Sequence, residues 1–207
     1  VCSRMSAKLI FDTARAVTAA VLSSCTMNQK NVRLDKKPAM DVAHRLAESL
    51  KGLDVEMVFG MPGAATLPLV EAFRRCDIDF VLCRHEASAG FMADAIYQLT
   101  GGIGVCVSTL GPGATNLLSG ITQSWLERSR VLGLVGQVSL PLLPMYTHQV
   151  IDQEALFRPV CKKYYRLHSN RPADQIRLGI RNLTRGAPGP VMMEISEGVA
   201  TSPCEPI

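Results

Sequence analysis

No apolar run in these 207 residues reaches the roughly 18 that a membrane-spanning helix needs, so the body of the chain is expected to be soluble and clear of the membrane. Neither a C-x-x-C pair nor a paired Cys/His spacing occurs among the seven cysteines (Cys2, Cys25, Cys76, Cys83, Cys106, Cys161 and Cys204), and seven is odd. Neither a zinc site nor a disulfide framework is thereby indicated, and the thiols read as reduced, mostly core residues of a cytoplasmic protein. Blocks of like charge are missing too. The 22 basic and 18 acidic residues are scattered, which argues against a nucleic-acid surface. No internal repeat or low-complexity tract interrupts the chain.

What is present is ordinary globular composition, 47% hydrophobic and 19% charged, in a length that suits one buried α/β domain with tails. Residues 1–37 are expected to form an N-terminal extension outside the fold. Arg4, Lys8 and Arg15 ahead of the apolar run from Ala16 to Leu22 faintly resemble a signal or transit segment, and Leu22-Ser23-Ser24-Cys25 a lipoprotein cleavage site. Against these stand Asp12, the shortness of the run, and a second plausible start at Met27, which favour an upstream extension. The folded domain is expected over 38–197, with a C-terminal tail at 198–207.

Within that domain Pro38 suits a first helical turn, and Met40, Ala43, Leu46, Ala47 and Leu50 recur at helical spacing until Gly52. Six short β-like runs then alternate with helices. The strands are predicted at 55–59, 78–83, 103–108, 131–135, 163–167 and 191–195. Helices are predicted near 66–75, 86–99, 114–127 and 172–185, with a looser connection at 138–160. The strands are continuous apolar runs, as burial on both faces of a parallel sheet requires. This pattern predicts a three-layer, doubly wound α/β sheet of about six mainly parallel strands, whose ligands bind beyond the carboxyl ends of the strands.

Chemistry is therefore sought after each strand. After the first comes Gly60-Met61-Pro62-Gly63, a tight turn that lets backbone approach a ligand, although an ordinary βα turn has the same composition. After the second, Arg84-His85-Glu86 opens a helix of small residues, Ala87, Ala89, Gly90 and Ala93. Glu86 could simply favour the helix dipole. Yet no Lys or Arg three or four residues downstream pairs with it, and the small residues leave room for a close neighbour. After the third strand, Thr109-Leu110-Gly111-Pro112-Gly113-Ala114-Thr115-Asn116 feeds a helix; Asn116 stands where a dinucleotide fingerprint needs its third glycine. Gly136-Gln137-Val138 follows the fourth.

Taken in order, these four segments, together with Met92-Ala93-Asp94 and the closing Gly189-Pro190-Val191-Met192-Met193-Glu194-Ile195, resemble the N-terminal pyrimidine-binding domain of acetolactate synthase-like thiamine-diphosphate enzymes. The resemblance covers about residues 38–197. It implies the pyrimidine module of the thiamine-diphosphate-binding fold, and an enzyme that decarboxylates a 2-oxo acid such as pyruvate and transfers the two-carbon unit. Thiamine chemistry needs a base beside C2 of the thiazolium ring. In the family a glutamate, mapping onto Glu86, hydrogen-bonds N1′ of the aminopyrimidine and shares a proton with it. That role wants a water-poor pocket, which the small residues of the helix would suit.

The resemblance further implies that Gly60, Pro62 and Gly63 approach a neighbouring subunit's cofactor and that Gln137 lies near the reacting centre. Gly111, Pro112 and Gly113 would shape their turn. His85 is read as a structural neighbour of Glu86, and His148 and Asp152 as solvated loop residues. Arg158 falls near a position that touches FAD in flavin-containing members, so FAD is an additional cofactor to weigh against a plain surface arginine. Two departures stand out: Ile96-Tyr97 replaces a tyrosine-glycine pair, and Arg130 replaces a proline.

The Gly-Asp-Gly and Asn-bearing segments that hold Mg²⁺ and the diphosphate in the family do not occur in this sequence. No metal ligand is assigned on this chain. A diphosphate-binding domain or subunit, in a homo- or hetero-oligomer such as a dimer, is the implied partner, and the isolated chain is expected to be inactive. The rival reading is a noncatalytic truncated remnant or interaction module of the same fold; a nucleotide-binding Rossmann protein comes third.

Overall fold

The computed structural model describes residues 40–206. The extension expected at 1–37, and Pro38 as a helix opener, lie outside these residues. The first described helix, α1 (Val42–Lys51), is opened by Asp41, whose carboxylate accepts from the His44 N–H at 2.7 Å. Its apolar stripe of Val42, Ala43, Leu46, Ala47 and Leu50 is buried, as the spacing predicts.

Six strands follow: β1 (Met57–Gly60), β2 (Asp79–Leu82), β3 (Gly104–Ser108), β4 (Val131–Gln137), β5 (Lys163–Arg166) and β6 (Val191–Ser196). They form one sheet in the order β2-β1-β3-β4-β6-β5, and every pairing is parallel. The four inner strands are buried at every residue, whereas the edge strands β2 and β5 are only partly covered. This is the distribution that uninterrupted apolar runs imply.

The intervening helices are α2 (Leu67–Arg75), α3 (Glu86–Thr100), α4 (Pro112–Leu126), α5 (Gln153–Phe157), α6 (Pro172–Thr184) and α7 (Glu197–Ala200). Helices α1, α2, α6 and α7 pack among themselves, and α3, α4 and α5 form a second set, so the sheet is the middle of three layers. The connection at 138–160 is more structured than its sequence suggests. It holds a 3-10 turn at Leu140–Met145, then α5, then a second at Arg158–Val160. Asp152, expected to be a solvated loop residue, caps α5 by accepting from the Ala155 N–H at 3.0 Å.

The segment set apart as a C-terminal tail is part of the body as far as Cys204. Ala200 is fully buried, Asp41 pairs with Pro203, and the Cys204 N–H donates to the Met40 carbonyl at 3.0 Å. Among the described residues no helix is long and apolar enough to cross a membrane.

Helices α3 and α4 make the closest helix pair. A Cβ built on Gly120 would lie 2.5 Å from the Gly90 Cα, so the two backbones touch where they cross. Of the small residues of α3, expected to suit a ligand pocket, Gly90 serves this contact and Ala93 the approach of Gly104 in β3 to its carbonyl. The neighbour they make room for is protein.

Candidate functional site

The chain first builds outward on one side of β1, to β2, and then returns to place β3 on its other side. That reversal puts the loops after β1, β2 and β3 around one point at the carboxyl edge of the sheet, where doubly wound folds bind ligands.

The loop after β2 delivers Glu86 as the first residue of α3. His85 caps the helix, its Nδ1 accepting from the Ala87 N–H at 3.1 Å, which fixes the point at which Glu86 enters the first turn. Glu86 is 5% exposed. Its partner is neutral: the Asn116 side-chain amide, on α4, donates to Oε2 at 3.0 Å. Among the described residues no Lys, Arg or His forms an ion pair with it. Gly113 leaves the space beside the other oxygen, since a Cβ there would lie 3.2 Å from Oε1. Thus Gly113 does more than shape a turn, and Asn116, read in the sequence only as a missing glycine, is the acid's hydrogen-bond donor.

The loop after β1 is held by Thr66, fully buried, which receives the Gly63 N–H and returns its own hydroxyl to the Gly63 carbonyl, both at 3.0 Å. Gly60 lies below this loop as the last residue of β1. It has no room for a side chain, because the Val107 carbonyl of β3 occupies that space. Pro62 and Gly63 stand above it, half-buried. Gly63 packs on Thr109, and the Thr109 methyl would lie 2.7 Å from a Cβ on Gly113, so one threonine joins the β1 loop to the Glu86 corner.

Thr109 also lines a cleft of about 400 Å³. Ala64, Ala65, Thr109, Leu110, Gln137 and Val138 form its wall at the strand ends, and Tyr146, His148 and Gln149 of the long connection close over it. Gln137 is 4% exposed; its side-chain oxygen accepts from the Val138 N–H at 2.9 Å, and among the described residues its amide donors have no acceptor. A second cavity of about 600 Å³ begins at Ser139 and continues along Ser196, His168 and Asn170. The structure therefore brings Glu86, Gly63, Thr109 and Asn116 together, and places Gln137 in the adjoining cleft, which Glu86 does not line. Arg158 is exposed after α5, away from both.

Beneath Gln137 lies a polar cluster that the sequence hid in an apolar strand. Glu194 of β6 is 1% exposed and takes three donors: Arg166 Nε at 2.6 Å, Tyr164 Oη at 2.5 Å and Gln153 Nε2 at 3.2 Å. Burial, then the neighbouring carboxylate, push the Tyr164 phenol well above its ordinary range, so it stays a donor. The signal available in sequence was a lone acid within Val191-Met192-Met193-Glu194-Ile195.

Among the described residues no group of three or more His, Cys, Asp or Glu side chains is placed to hold a metal ion. The described cysteines are free; Cys106 is fully buried, and burial raises its thiol far above the usual value.

Residues 40–156 match the family model described as "Thiamine pyrophosphate enzyme, N-terminal TPP binding domain". The chain is 36% identical over 161 residues to a probable acetolactate synthase large subunit of Methanocaldococcus jannaschii, covering 77% of this chain and 27% of that protein. It is 32% identical over 161 residues to the acetolactate synthase isozyme 2 large subunit of Escherichia coli K12 (77% and 29%). With 2-hydroxyacyl-CoA lyase 2 of Mus musculus the identity is 35% over 164 residues (79% and 26%). The matches thus span only 26–29% of the length of these relatives. The chain belongs to the thiamine pyrophosphate enzymes, as an acetolactate synthase-like N-terminal TPP-binding domain.

Proposed function

We propose that this chain is the pyrimidine-binding half of an enzyme that decarboxylates a 2-oxo acid and joins the two-carbon unit to an acceptor, with Glu86 facing the aminopyrimidine of thiamine diphosphate. One observation carries this reading: a buried carboxylate with no cation, held by a neutral amide. Such an acid is costly to keep in a fold, because buried charges are ordinarily paired.

The residues fit the cofactor. Asn116 fixes Oε2, and Gly113 keeps the flank of Oε1 clear, so the carboxylate retains acceptor capacity for a ring nitrogen. When bound, the cofactor supplies the electron sink for carbanion chemistry. The protein's part is to hold a proton at the Glu86 carboxyl, to bring the Pro62-Gly63 turn close to the ligand, and to offer the Gln137 amide to an acceptor oxygen. Gly60 supports that turn by letting β1 and β3 approach. Mg²⁺ and the diphosphate are assigned to a partner domain. FAD enters this reading only through Arg158, which is exposed and free to meet a group brought by another domain.

The partner has a surface to cover. Between Glu86 and Leu126 the only charged residues are Glu86 and Asp94, and both are buried, so the outer face of α3 and α4 carries no charge. It exposes Phe91, Met92, Leu99 and Leu126 instead. An apolar face of this kind marks an interaction site. Because Glu86 is the first residue of α3, a diphosphate-binding domain seated here would close over the acid and exclude water. The assembly, a dimer or larger, is placed in the cytoplasm, where the free thiols stay reduced.

The test is Glu86→Gln in the chain assembled with a diphosphate-binding domain. Proton exchange at C2 of bound thiamine diphosphate should fall by about 10²–10⁴-fold, while circular dichroism is unchanged. Exchange at the unmodified rate would remove Glu86 from the mechanism.

A further inference from the structure

Glu194 has no part in the proposed chemistry, yet among the described residues it is the most buried Asp, Glu, Lys or Arg. Its desolvation is expensive, and a well-packed apolar residue would serve a parallel sheet equally well or better. The position of its partners suggests why it is kept. Gln153, fully buried on α5, uses one amide nitrogen twice, toward Glu194 at 3.2 Å and toward the Gly136 carbonyl at 3.0 Å. Gly136 immediately precedes Gln137. On its opposite flank a Cβ would lie 3.1 Å from Ala65 and 3.2 Å from Thr66, so the backbone there is gripped from two sides. A void of about 10 Å³ is walled by Gln137 and Ser196 together with Arg166 and Glu194, which brings the ion pair up against the Gln137 side chain. In register, Glu194 is opposite Val135 and Ser196 opposite Gln137, so the cluster lies directly below the last turn of β4.

We propose that Glu194 and Gln153 are positioning residues for Gln137: they fix the carboxyl end of β4 so that the Gln137 amide stays folded back on Val138 with its N–H groups presented to the 400 Å³ cleft. Arg166 and Tyr164 hold the Glu194 carboxylate, the carboxylate holds Gln153, and Gln153 holds the Gly136 carbonyl. The chain of contacts ends at a donor, so the cleft is built to receive an acceptor oxygen, as a carboxylate or carbonyl of a 2-oxo acid would offer. This last step rests on the proposed function; the positioning itself does not.

The Val138 N–H reports on the arrangement, because it is bound by the Gln137 side chain and not by a neighbouring strand. Hydrogen exchange followed by NMR on the chain without cofactor is therefore the test. In Gln153→Leu, which leaves Glu194 its two other donors, Val138 exchange should quicken about ten-fold while the β4 amides from Leu132 to Gly136 keep their rates. Glu194→Gln should act in the same direction, and Gln137→Ala should abolish the protection. Unchanged Val138 exchange in a folded Gln153→Leu protein would overturn the proposal. Equal acceleration along all of β4 would do so too, by reducing the cluster to a brace for the strand. Neither result depends on thiamine, so failure here and failure of the Glu86 reading are separable.

Discussion

At the scale of the residue, Glu86 is buried with a neutral amide for a partner, and that donor is open to test. Asn116→Ala removes a hydrogen bond to a buried carboxyl group and leaves Oε2 without a protein donor among the described residues. Stability measured in urea should fall by about 1 kcal/mol, the low end of the range because Asn116 is exposed to water. The Cys161 thiol gives a second prediction. Burial, and next the nearby Glu154 carboxylate, push it from 9.0 up to about 11. The unfolded thiol loses its proton first as pH rises, so the folded state loses stability between pH 9 and about 11, and below pH 9 the contribution is constant. A Cys161→Ala protein should show a shallower decline of the urea midpoint across that window. Glu86 and Gln137 were singled out in the sequence because each falls at or just beyond the predicted end of a strand, and the structure puts both at the carboxyl edge of the sheet. Asn116 and Glu194 were not, because their significance depends on which strands and helices become neighbours, information that local spacing does not carry.

Elements follow the sequence more closely. Every strand and long helix falls within a few residues of its predicted place, since apolar runs and helical stripes are properties of consecutive residues. The small residues of α3 were misassigned for the opposite reason: composition shows that something approaches closely, and cannot say whether it is a ligand or α4. The crossing at Gly90 and Gly120 makes the distinction testable. Gly120→Val drives a branched side chain into the Gly90 backbone and should cost about 2–3 kcal/mol in urea unfolding. Gly52 is the contrasting case. It ends α1 at φ −65° with its nearest atoms at 3.5 and 3.6 Å, so Ala fits, and Gly52→Ala should raise stability by about 0.4–1 kcal/mol through the unfolded chain.

For the whole molecule, the charge-free outer face of α3 and α4 is the feature that an isolated domain would not need. Phe91→Glu combined with Leu99→Glu places two charges on side chains already 47% and 57% exposed, so folding should survive. Association with a diphosphate-binding domain, followed by analytical ultracentrifugation, should be lost. An unaltered sedimentation profile would mean that the partner sits elsewhere.

Thr109 gives the molecule its final constraint. With Gly63 against its hydroxyl, Gly113 against its methyl and its own side in the wall of the 400 Å³ cleft, it ties the β1 loop, the Glu86 corner and the Gln137 cleft to one side chain. Trimmed to alanine, it would leave both glycines without the group they rest on, and the turn after β1 and the first turn of α4 would slacken together.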